Sequence, residues 1–193
     1  MGRKSGRGDA ATGGRGGARG GARGGAAATP AIAALRAAGV AHEVHTYDAS
    51  GETAYGDEAA RVMGERLGVD ADRVFKTLVL ATARPPAGSR VALAVAVLPV
   101  TSSLDLKAAA AALGCGRATL APVDVAEKTT GYVVGGVSPI GQKRPLATVV
   151  DASALGHRTV LCSAGRRGWE IELDPAELVR LTGAVTAPVT TSR

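Results

Sequence analysis

A lysine interrupts an apolar, strand-like run at residues 74–80, which reads VFKTLVL. Because the side chains of a strand alternate between two faces, Lys76 shares a face with Val74, Leu78 and Leu80. Both faces are largely hydrocarbon, and burying an unpaired ammonium group costs several kcal/mol. Two interpretations of Lys76 stay open. It is either an edge residue whose stem lies on the sheet while its head reaches water, or part of a pocket that needs a positive charge.

The spacing of apolar residues along the chain predicts an α+β fold. The connections are of mixed length, and a hairpin-like one lies at 83–89. This mixture predicts a mixed, largely antiparallel sheet that is closed or strongly curved. The predicted helices cover 30–38, 57–67, 104–113, 123–128 and 175–181, and the predicted strands cover 42–47, 74–82, 90–97, 132–137, 147–150, 159–162 and 169–173.

Several helix ends are marked by residues that cap helices well. Thr29 and Asp174 each precede a proline, which favours a helix start, and Ser103 is the predicted cap of the third helix. Gly39 and Gly183 stand where the first and last helices should stop. These signals set the predicted helix boundaries.

Residues 1–28 differ in composition from everything that follows. They are rich in glycine and have almost no side chain able to bury apolar area, so we predict a disordered tail before one domain at 29–193. Six tail residues are basic and one is acidic, so the tail carries +5 of the net charge of +6. Its arginines suit loose, non-specific contact with RNA phosphates. A solubilising tail without a partner is the alternative.

Composition excludes several classes of protein. Two cysteines cannot make a disulfide framework, and the three histidines do not fall at metal-ligand spacing, so we predict no metal site. The tail glycines follow no strand and therefore do not indicate a nucleotide loop or cofactor. The apolar run at 91–100 is too short to span a bilayer. We therefore expect a soluble, cytoplasmic protein without a secretory signal, cofactor or membrane partner.

Two glycine-rich segments could carry chemistry. Gly135 and Gly136 lie in a predicted strand, where missing side chains let a ligand or another backbone approach closely. A bulge or a barrel corner is the alternative. The turn at 163–168 reads SAGRRG, so Ser163 could donate to a substrate and its two arginines could contact phosphate. A solvated loop is the alternative there. Cys115 and Cys162 have no activating neighbour in sequence and are predicted to be packing residues.

These segments together resemble the YbaK/EbsC family, whose members are free-standing relatives of the editing domain in bacterial prolyl-tRNA synthetases. The resemblance extends from residue 29 to about residue 182 and leaves the tail outside it. The segments that carry it are 29–31 (TPA), 45–47 (HTY), 55–60 (YGDEAA), 75–78 (FKTL), 104–107 (LDLK), 130–143 (TGYVVGGVSPIGQK) and 165–168 (GRRG).

The resemblance implies a mixed β-barrel flanked by helices, and an enzyme that edits mischarged aminoacyl-tRNA. It implies Cys-tRNA(Pro), with Cys-tRNA(Cys) as a second substrate, and prolyl-tRNA synthetase as a partner. Lys76 matches the central functional residue of the family. The family lines its substrate pocket at the positions of Tyr47, Tyr55, Thr77, Gly135 and Ser163. Two residues depart from close relatives, which often have Phe at the position of Tyr55 and Asp at that of Glu170.

The resemblance also implies a mechanism in which the thiol of the substrate cysteine attacks its own carbonyl carbon. Formally the enzyme is then a hydrolase or a lyase. Lys76 would anchor the terminal phosphate or the oxyanion, and the N–H groups at Gly135 and Gly136 would hold the carbonyl oxygen. Two alternatives stay open. One is a deacylase for another mischarged tRNA such as Ala-tRNA(Pro), and the other is a non-catalytic module that binds tRNA or a synthetase.

Overall fold

The computed structural model of the protein describes residues 28–49 and 55–191. The predictions for residues 1–27 lie outside this part of the chain. The helices are α1 Pro30–Ala37, α2 Tyr55–Leu67, α3 Leu106–Ala112, α4 Val123–Thr130 and α5 Pro175–Thr182, with short 3-10 turns at Ala71–Arg73 and Ala152–Gly156. The strands are β1 His42–Thr46, β2 Val74–Thr82, β3 Leu93–Pro99, β4 Ser103–Leu104, β5 Ala118–Leu120, β6 Ala147–Asp151, β7 Val160–Arg166, β8 Trp169–Leu173, β9 Val185–Ala187 and β10 Thr190–Thr191.

Local capping explains most helix boundaries. The Thr29 hydroxyl accepts a hydrogen bond from the N–H of Ile32, and Asp174 caps α5 in the same way, as predicted. The predicted cap of α3 is wrong. The cap is Asp105, whose carboxylate accepts from two backbone N–H groups, whereas Ser103 pairs with β10. Asp105 directly precedes the first residue of α3, whereas Ser103 lies too far from it to cap the helix.

The predicted strand at 132–137 is wrong, because this segment is a series of turns. Gly131 ends α4 in the left-handed conformation with a φ of 80°. The N–H of Gly136 then donates to the carbonyl of Val133, at 2.9 Å, and closes a turn. The apolar residues there mimic a strand in sequence, but glycine at three positions lets the backbone fold back on itself.

The larger sheet is mixed and lies between helices. Its strand order is β1, β8, β7, β2, β3, β6, β9, with β5 added to the edge of β2. Four pairings are antiparallel and three are parallel, so the antiparallel bias is smaller than predicted. The predicted closed barrel is corrected. A barrel needs its first and last strands to pair, and within residues 28–49 and 55–191 the three-residue β9 pairs with β6 alone.

The two faces of the sheet pack against different helices. Val95 and Val97 of β3 belong to a core cluster with residues of α1 and α5, whereas Ala96 and Leu98 point to the cluster that includes α3. This is the two-residue alternation of a strand buried on both faces. A third cluster packs α2 against the first residue of β2, which brings the start of α2 close to Lys76. No helix within 28–49 and 55–191 has the length and apolarity needed to cross a membrane.

The outer edge of β2 changes partner in the middle of the strand, and this leaves a gap. β7 pairs with β2 at Val74 and Phe75, and β5 pairs with it from Leu80 onward. The carbonyl of Val74 accepts from the N–H of Val100, and the N–H of Thr82 donates to the carbonyl of Ala92, the residues that flank β3. By alternation the even-numbered residues face β3, and Thr77 directs its N–H and C=O toward the gap. A backbone donor and acceptor therefore face an opening in the sheet.

Candidate functional site

A cavity of about 390 Å³, here called the lysine cavity, opens at the gap beside β2. Its walls come from the start of α2, from residues 74–79 of β2, from the start of α4 and from the turns after α4. Six of the predicted site residues line it, namely Lys76, Thr77, Tyr55, Gly135, Ser163 and Glu170. Tyr47 and Gly136 lie outside its lining. Lys76 therefore lies at a cavity, and a need of that cavity for its positive charge stays a prediction.

The ammonium group of Lys76 is held at the cavity by main-chain carbonyls. Its Nζ donates to the carbonyl oxygen of Ser102 at 2.6 Å and to that of Val100 at 3.3 Å. Both carbonyls belong to the chain just after β3, which pairs with β2 beside Lys76. Carbonyl dipoles offset part of the desolvation of a half-buried ammonium. The ammonium group of Lys76 is therefore held in a fixed position at the cavity wall.

Two hydroxyl groups in the cavity are poised for a ligand. Thr77 Oγ1 and Ser163 Oγ are buried, and neither has a hydrogen-bond partner among the described residues. Buried polar atoms are almost always hydrogen-bonded in native structures, and those that are not call for an explanation. Both residues line the lysine cavity, so a polar group of a bound molecule would satisfy them.

Glu170 brings a buried carboxyl group to the same wall. It lies opposite Ser163 in the β7–β8 pairing and is only 6% exposed. Burial raises the pKa of Glu170 to about 8. The carboxyl group is therefore largely protonated at neutral pH and can donate a hydrogen bond as well as accept one. Burial and then the charge of Glu170 raise the pKa of the Tyr47 phenol.

The raised pKa of Glu170 has a consequence for stability. Between its ordinary value of 4.5 and about 8, the folded state holds a proton that the unfolded state has released. The free energy of unfolding therefore falls as pH rises through this window. We expect Glu170→Gln, which stays neutral, to match the wild-type Tm near pH 5 and to exceed it by several degrees near pH 9, as measured by thermal melts.

Glu65→Gln is the matched control for this prediction, because Glu65 is exposed and pairs with Arg61 on the surface of α2. It should shift Tm little at any pH. If the difference between Glu170→Gln and the wild type does not grow from about pH 5 to about pH 9, Glu170 does not carry the raised pKa.

At the two glycines of the turn after α4, other parts of the chain pack closely against the backbone. A Cβ atom on Gly135 would lie 2.5 Å from Cδ2 of Tyr55, and one on Gly136 would lie 2.8 Å from the backbone of Arg166 and Arg167. Of the two interpretations made from sequence, close approach of another part of the chain is the one found. Because the N–H of Gly136 already donates to Val133, it is not available as an oxyanion donor.

Both cysteines are buried packing residues, as predicted. Cys162 belongs to the core beside β8, and burial followed by the charge of Glu170 raises the pKa of its thiol. A thiol that stays protonated is a poor nucleophile. Cys115 is fully buried near α3, in the cluster on the opposite face of β3 from that of Cys162. Neither cysteine lines the lysine cavity.

A second group of ionisable side chains lies on β1 and β8. His45 and Glu43 approach Glu172, with their ligand atoms all within 4.8 Å of one another. Glu172 also accepts hydrogen bonds from Thr159 and Arg73. Burial acts to raise the pKa of Glu172, but hydrogen bonds from Thr159 and His45 and the charge of Arg73 lower it overall. Glu172 is thus the anion of an ion-pair network that joins β1, β8 and the turn before β2.

Sequence reasoning missed part of the site. The carbonyls that hold Lys76 are backbone groups, which leave no signature in a single sequence. The apolar side of the cavity comes from Leu120, Val123 and Ala126, which are distant from Lys76 in sequence. Leu120 and Val123 are each 59% exposed, and exposed apolar residues at a cavity mouth are the kind of signal that only a structure gives.

Known proteins share this fold and this sequence pattern. The family model described as the aminoacyl-tRNA editing domain matches residues 57–181. EbsC of Enterococcus faecalis, whose name assigns it provisionally as a Cys-tRNA(Pro)/Cys-tRNA(Cys) deacylase, is 38% identical over 133 residues, which cover 69% of this chain and 77% of EbsC.

A solved structure agrees with this match. A provisionally assigned trans-editing enzyme for prolyl-tRNA synthetase superposes with a TM-score of 0.71 at 26% identity, over 84% of this chain and 96% of that one. The mixed sheet with its helices is thus the editing-domain fold, and the resemblance to the YbaK/EbsC family is confirmed. The chain belongs to the aminoacyl-tRNA editing domain family.

Proposed function

We propose that the protein is a trans-editing deacylase that removes cysteine from Cys-tRNA(Pro), and that it also accepts Cys-tRNA(Cys). Family membership supports the reaction class, and the name given to EbsC supports cysteine as the amino acid. The observation that carries the proposal is the lysine cavity. One ammonium group, two buried hydroxyls and a largely protonated carboxyl group line this cavity, which is large enough for a cysteinyl group.

The substrate ester needs positioning and stabilisation of the oxyanion more than it needs a strong base. In this proposal the Lys76 ammonium stabilises the charge that develops on the carbonyl oxygen or on the adjacent phosphate. The backbone N–H of Thr77, which faces the gap in the sheet, is the donor that replaces Gly136. Ser163 and Glu170 line the pocket for the amino acid.

The nucleophile is the substrate's own thiol. The hydroxyls of Thr77 and Ser163 have no hydrogen-bonded base within the described part of the chain, so neither is activated. The substrate sulfur attacks the ester carbonyl carbon, a C–S bond forms, and the C–O bond to the ribose breaks. The thiol proton ends on the ribose oxygen, and water then opens the thioester to release cysteine. Alanine and serine lack this nucleophile, which makes the reaction selective.

The test is release of radiolabelled cysteine from Cys-tRNA(Pro) by the purified protein, with Cys-tRNA(Cys) and Ala-tRNA(Pro) run in parallel. Fast loss of cysteine alone is the expected result. Loss of alanine instead would keep the deacylase class and overturn the thiol mechanism. Binding of tRNA without hydrolysis of any ester would support a non-catalytic module.

The proposed partners follow from the same reasoning. Prolyl-tRNA synthetase would supply selection of tRNA(Pro). The domain at 29–193 carries only +1 of the net charge, so its own electrostatic attraction to tRNA is weak. The arginine-rich residues 1–28 would add non-specific contact with RNA. Adding prolyl-tRNA synthetase to the assay should therefore raise the preference for Cys-tRNA(Pro) over Cys-tRNA(Cys).

A further inference from the structure

A second cavity of about 400 Å³, here called the turn cavity, adjoins the lysine cavity. Tyr55 lines both of them, so its side chain is the wall that they share. The turn between β7 and β8 supplies the outer side. The lining combines aromatic rings and charged groups, namely Tyr47, Asp48, Tyr55, Arg166, Arg167 and Trp169.

The turn that presents the two arginines is fixed by glycine contacts. A Cβ atom on Gly168 would lie 2.2 Å from the carbonyl oxygen of Tyr47, and the N–H of Tyr47 donates to the carbonyl of Gly168 at 2.8 Å. Gly165 lies against the ring of Tyr132, and Gly136 lies against the backbone of the turn itself. The position of the turn is therefore set from three directions, which lowers the entropic cost of using its side chains for binding.

The guanidinium groups stack on aromatic rings at the cavity. Cζ of Arg166 lies 5.3 Å from the centroid of Trp169, and Cζ of Arg167 lies 4.7 Å from that of Tyr55. Arg167 also donates from Nε to the carbonyl of Val134. Neither arginine pairs with a carboxylate among the described residues. Most of their N–H donors therefore remain for an external anion.

We propose that the turn cavity binds the single-stranded nucleotides that precede the aminoacylated end of the RNA. This inference rests on the proposed function, which places the ester in the lysine cavity on the other side of Tyr55. Guanidinium forks bind phosphate, and bases stack on aromatic rings and on arginine planes. A chain of alternating phosphates and bases is the partner that uses both features of Arg166, Arg167 and Trp169. Asp48 can accept a hydrogen bond from a ribose hydroxyl or a base amino group.

Continuity between the two cavities strengthens the assignment. A nucleotide in the turn cavity and an acyl group in the lysine cavity would both lie against Tyr55, which lines the two cavities. An acidic peptide would match the arginines but would make no use of the aromatic rings of Tyr47 and Trp169 that line the same cavity. The combination of charge and flat rings is therefore better suited to a nucleic acid strand than to a protein segment.

The single tryptophan of the chain gives a direct measurement, because Trp169 lines the turn cavity. The full chain is titrated with an uncharged single-stranded RNA oligonucleotide, meaning one without an amino acid, that ends in CCA, while tryptophan fluorescence and the anisotropy of labelled RNA are followed. We expect Arg166→Ala with Arg167→Ala to weaken binding at least about 10-fold. The slope of log affinity against log salt should fall by about 1.4, or roughly 0.7 for each phosphate that the variant no longer binds.

The matched control is Arg84→Ala with Arg117→Ala, which removes the same charge from exposed sites at the far end of β2. The tail is present in every variant, so its contribution cancels. Equal weakening by the control pair would overturn the proposal, because it would show a general field effect. Equal competition by poly-glutamate at matched ionic strength would overturn it too, in favour of an acidic protein partner. Unchanged tryptophan fluorescence and unchanged RNA affinity in the Arg166→Ala and Arg167→Ala variant would also overturn the proposal.

The outcomes separate this proposal from the proposed function, because the RNA probe carries no ester. Binding at the turn without hydrolysis of any aminoacyl-tRNA would leave the turn cavity assigned and remove the deacylase. Conversely, rapid hydrolysis of Cys-tRNA(Pro), with an unchanged KM in the Arg166→Ala and Arg167→Ala variant, would keep the deacylase and overturn the role of the turn.

Discussion

Replacing Lys76 by alanine is expected to lower kcat/KM for Cys-tRNA(Pro) by at least about 100-fold, the loss typical of removing one preorganised oxyanion donor. Lys76 supplies a fixed charge at the lysine cavity, and the carbonyls of Val100 and Ser102 hold its Nζ in place. Alanine removes both the charge and the long stem. Single-turnover release of radiolabelled cysteine at saturating enzyme measures the chemical step directly.

The fold should survive this substitution. The variant lacks two hydrogen bonds to carbonyls, which costs about 1–3 kcal/mol, and Lys76 is only half-buried. Thermal melts will show whether the assay temperature lies below the transition. Lys107→Ala is the matched control, because Lys107 is exposed on α3 and does not line the cavity. A folded Lys76→Ala protein with near-normal turnover would refute the role assigned to this residue.

Lys76→Arg separates charge from geometry. The guanidinium group keeps the positive charge, but it is planar and larger than an ammonium group. It cannot occupy the position from which Nζ reaches both the Ser102 and Val100 carbonyls, at 2.6 and 3.3 Å. If charge alone matters, the arginine variant should recover most of the activity that alanine removes. Recovery of less than a tenth would show that the fixed position of the ammonium is required.

Local signals in the sequence were sufficient to predict most of the helices and strands. α1 and α5 begin at their predicted caps, and β2 and β8 have the predicted bounds. These elements depend on contacts between near neighbours in sequence, which propensity and capping describe well. The strand prediction for residues 132–137 was wrong because the structure of that segment does not depend on near neighbours in sequence. Its apolar spacing fits a strand, but the turns there depend on contacts of Gly135 and Gly136 with α2 and with the β7–β8 turn.

Long-range pairing explains what the sequence did not reveal. The parallel contact of β2 with β7 joins residues nearly 90 positions apart, and it ends after Phe75. The gap that exposes the Thr77 backbone exists because β5 takes over the same edge only at Leu80. Periodicity correctly singled out Lys76 as a residue out of place in a strand. It could not show which backbone carbonyls would hold the ammonium, or that Tyr47 lines the second cavity instead of the first.

Gly135→Ala is expected to damage both stability and activity, because two effects coincide at this position. The φ of Gly135 is +86°, which costs an alanine about 1–2 kcal/mol. The new Cβ would also lie 2.5 Å from Cδ2 and 2.6 Å from Cγ of Tyr55, so the ring must move. Overpacking of this kind costs about 1–3 kcal/mol. We expect the free energy of unfolding to fall by about 3 kcal/mol in all, as measured by urea titration.

Activity should fall with it, since Tyr55 separates the two cavities and carries the guanidinium of Arg167. We expect kcat/KM for Cys-tRNA(Pro) to drop at least about 30-fold, because small displacements of a positioning wall have large kinetic effects. Gly39→Ala is the matched control. Its φ is +67°, but nothing lies within 4 Å of the added Cβ, so it reports the backbone strain alone.

The Tyr55→Ala and Gly135→Ala double variant then isolates the contact between the two residues. Once the ring is gone, the three atoms nearest to the added methyl group are removed, and the stability cost of Gly135→Ala should shrink toward that of Gly39→Ala. The coupling energy from the cycle is the energy of the clash. If Gly135→Ala is no more harmful than Gly39→Ala in the presence of Tyr55, the ring does not pack on this glycine. The wall shared by the two cavities would then have to be built in another way, because Tyr55 is the one residue within 28–49 and 55–191 that lines both.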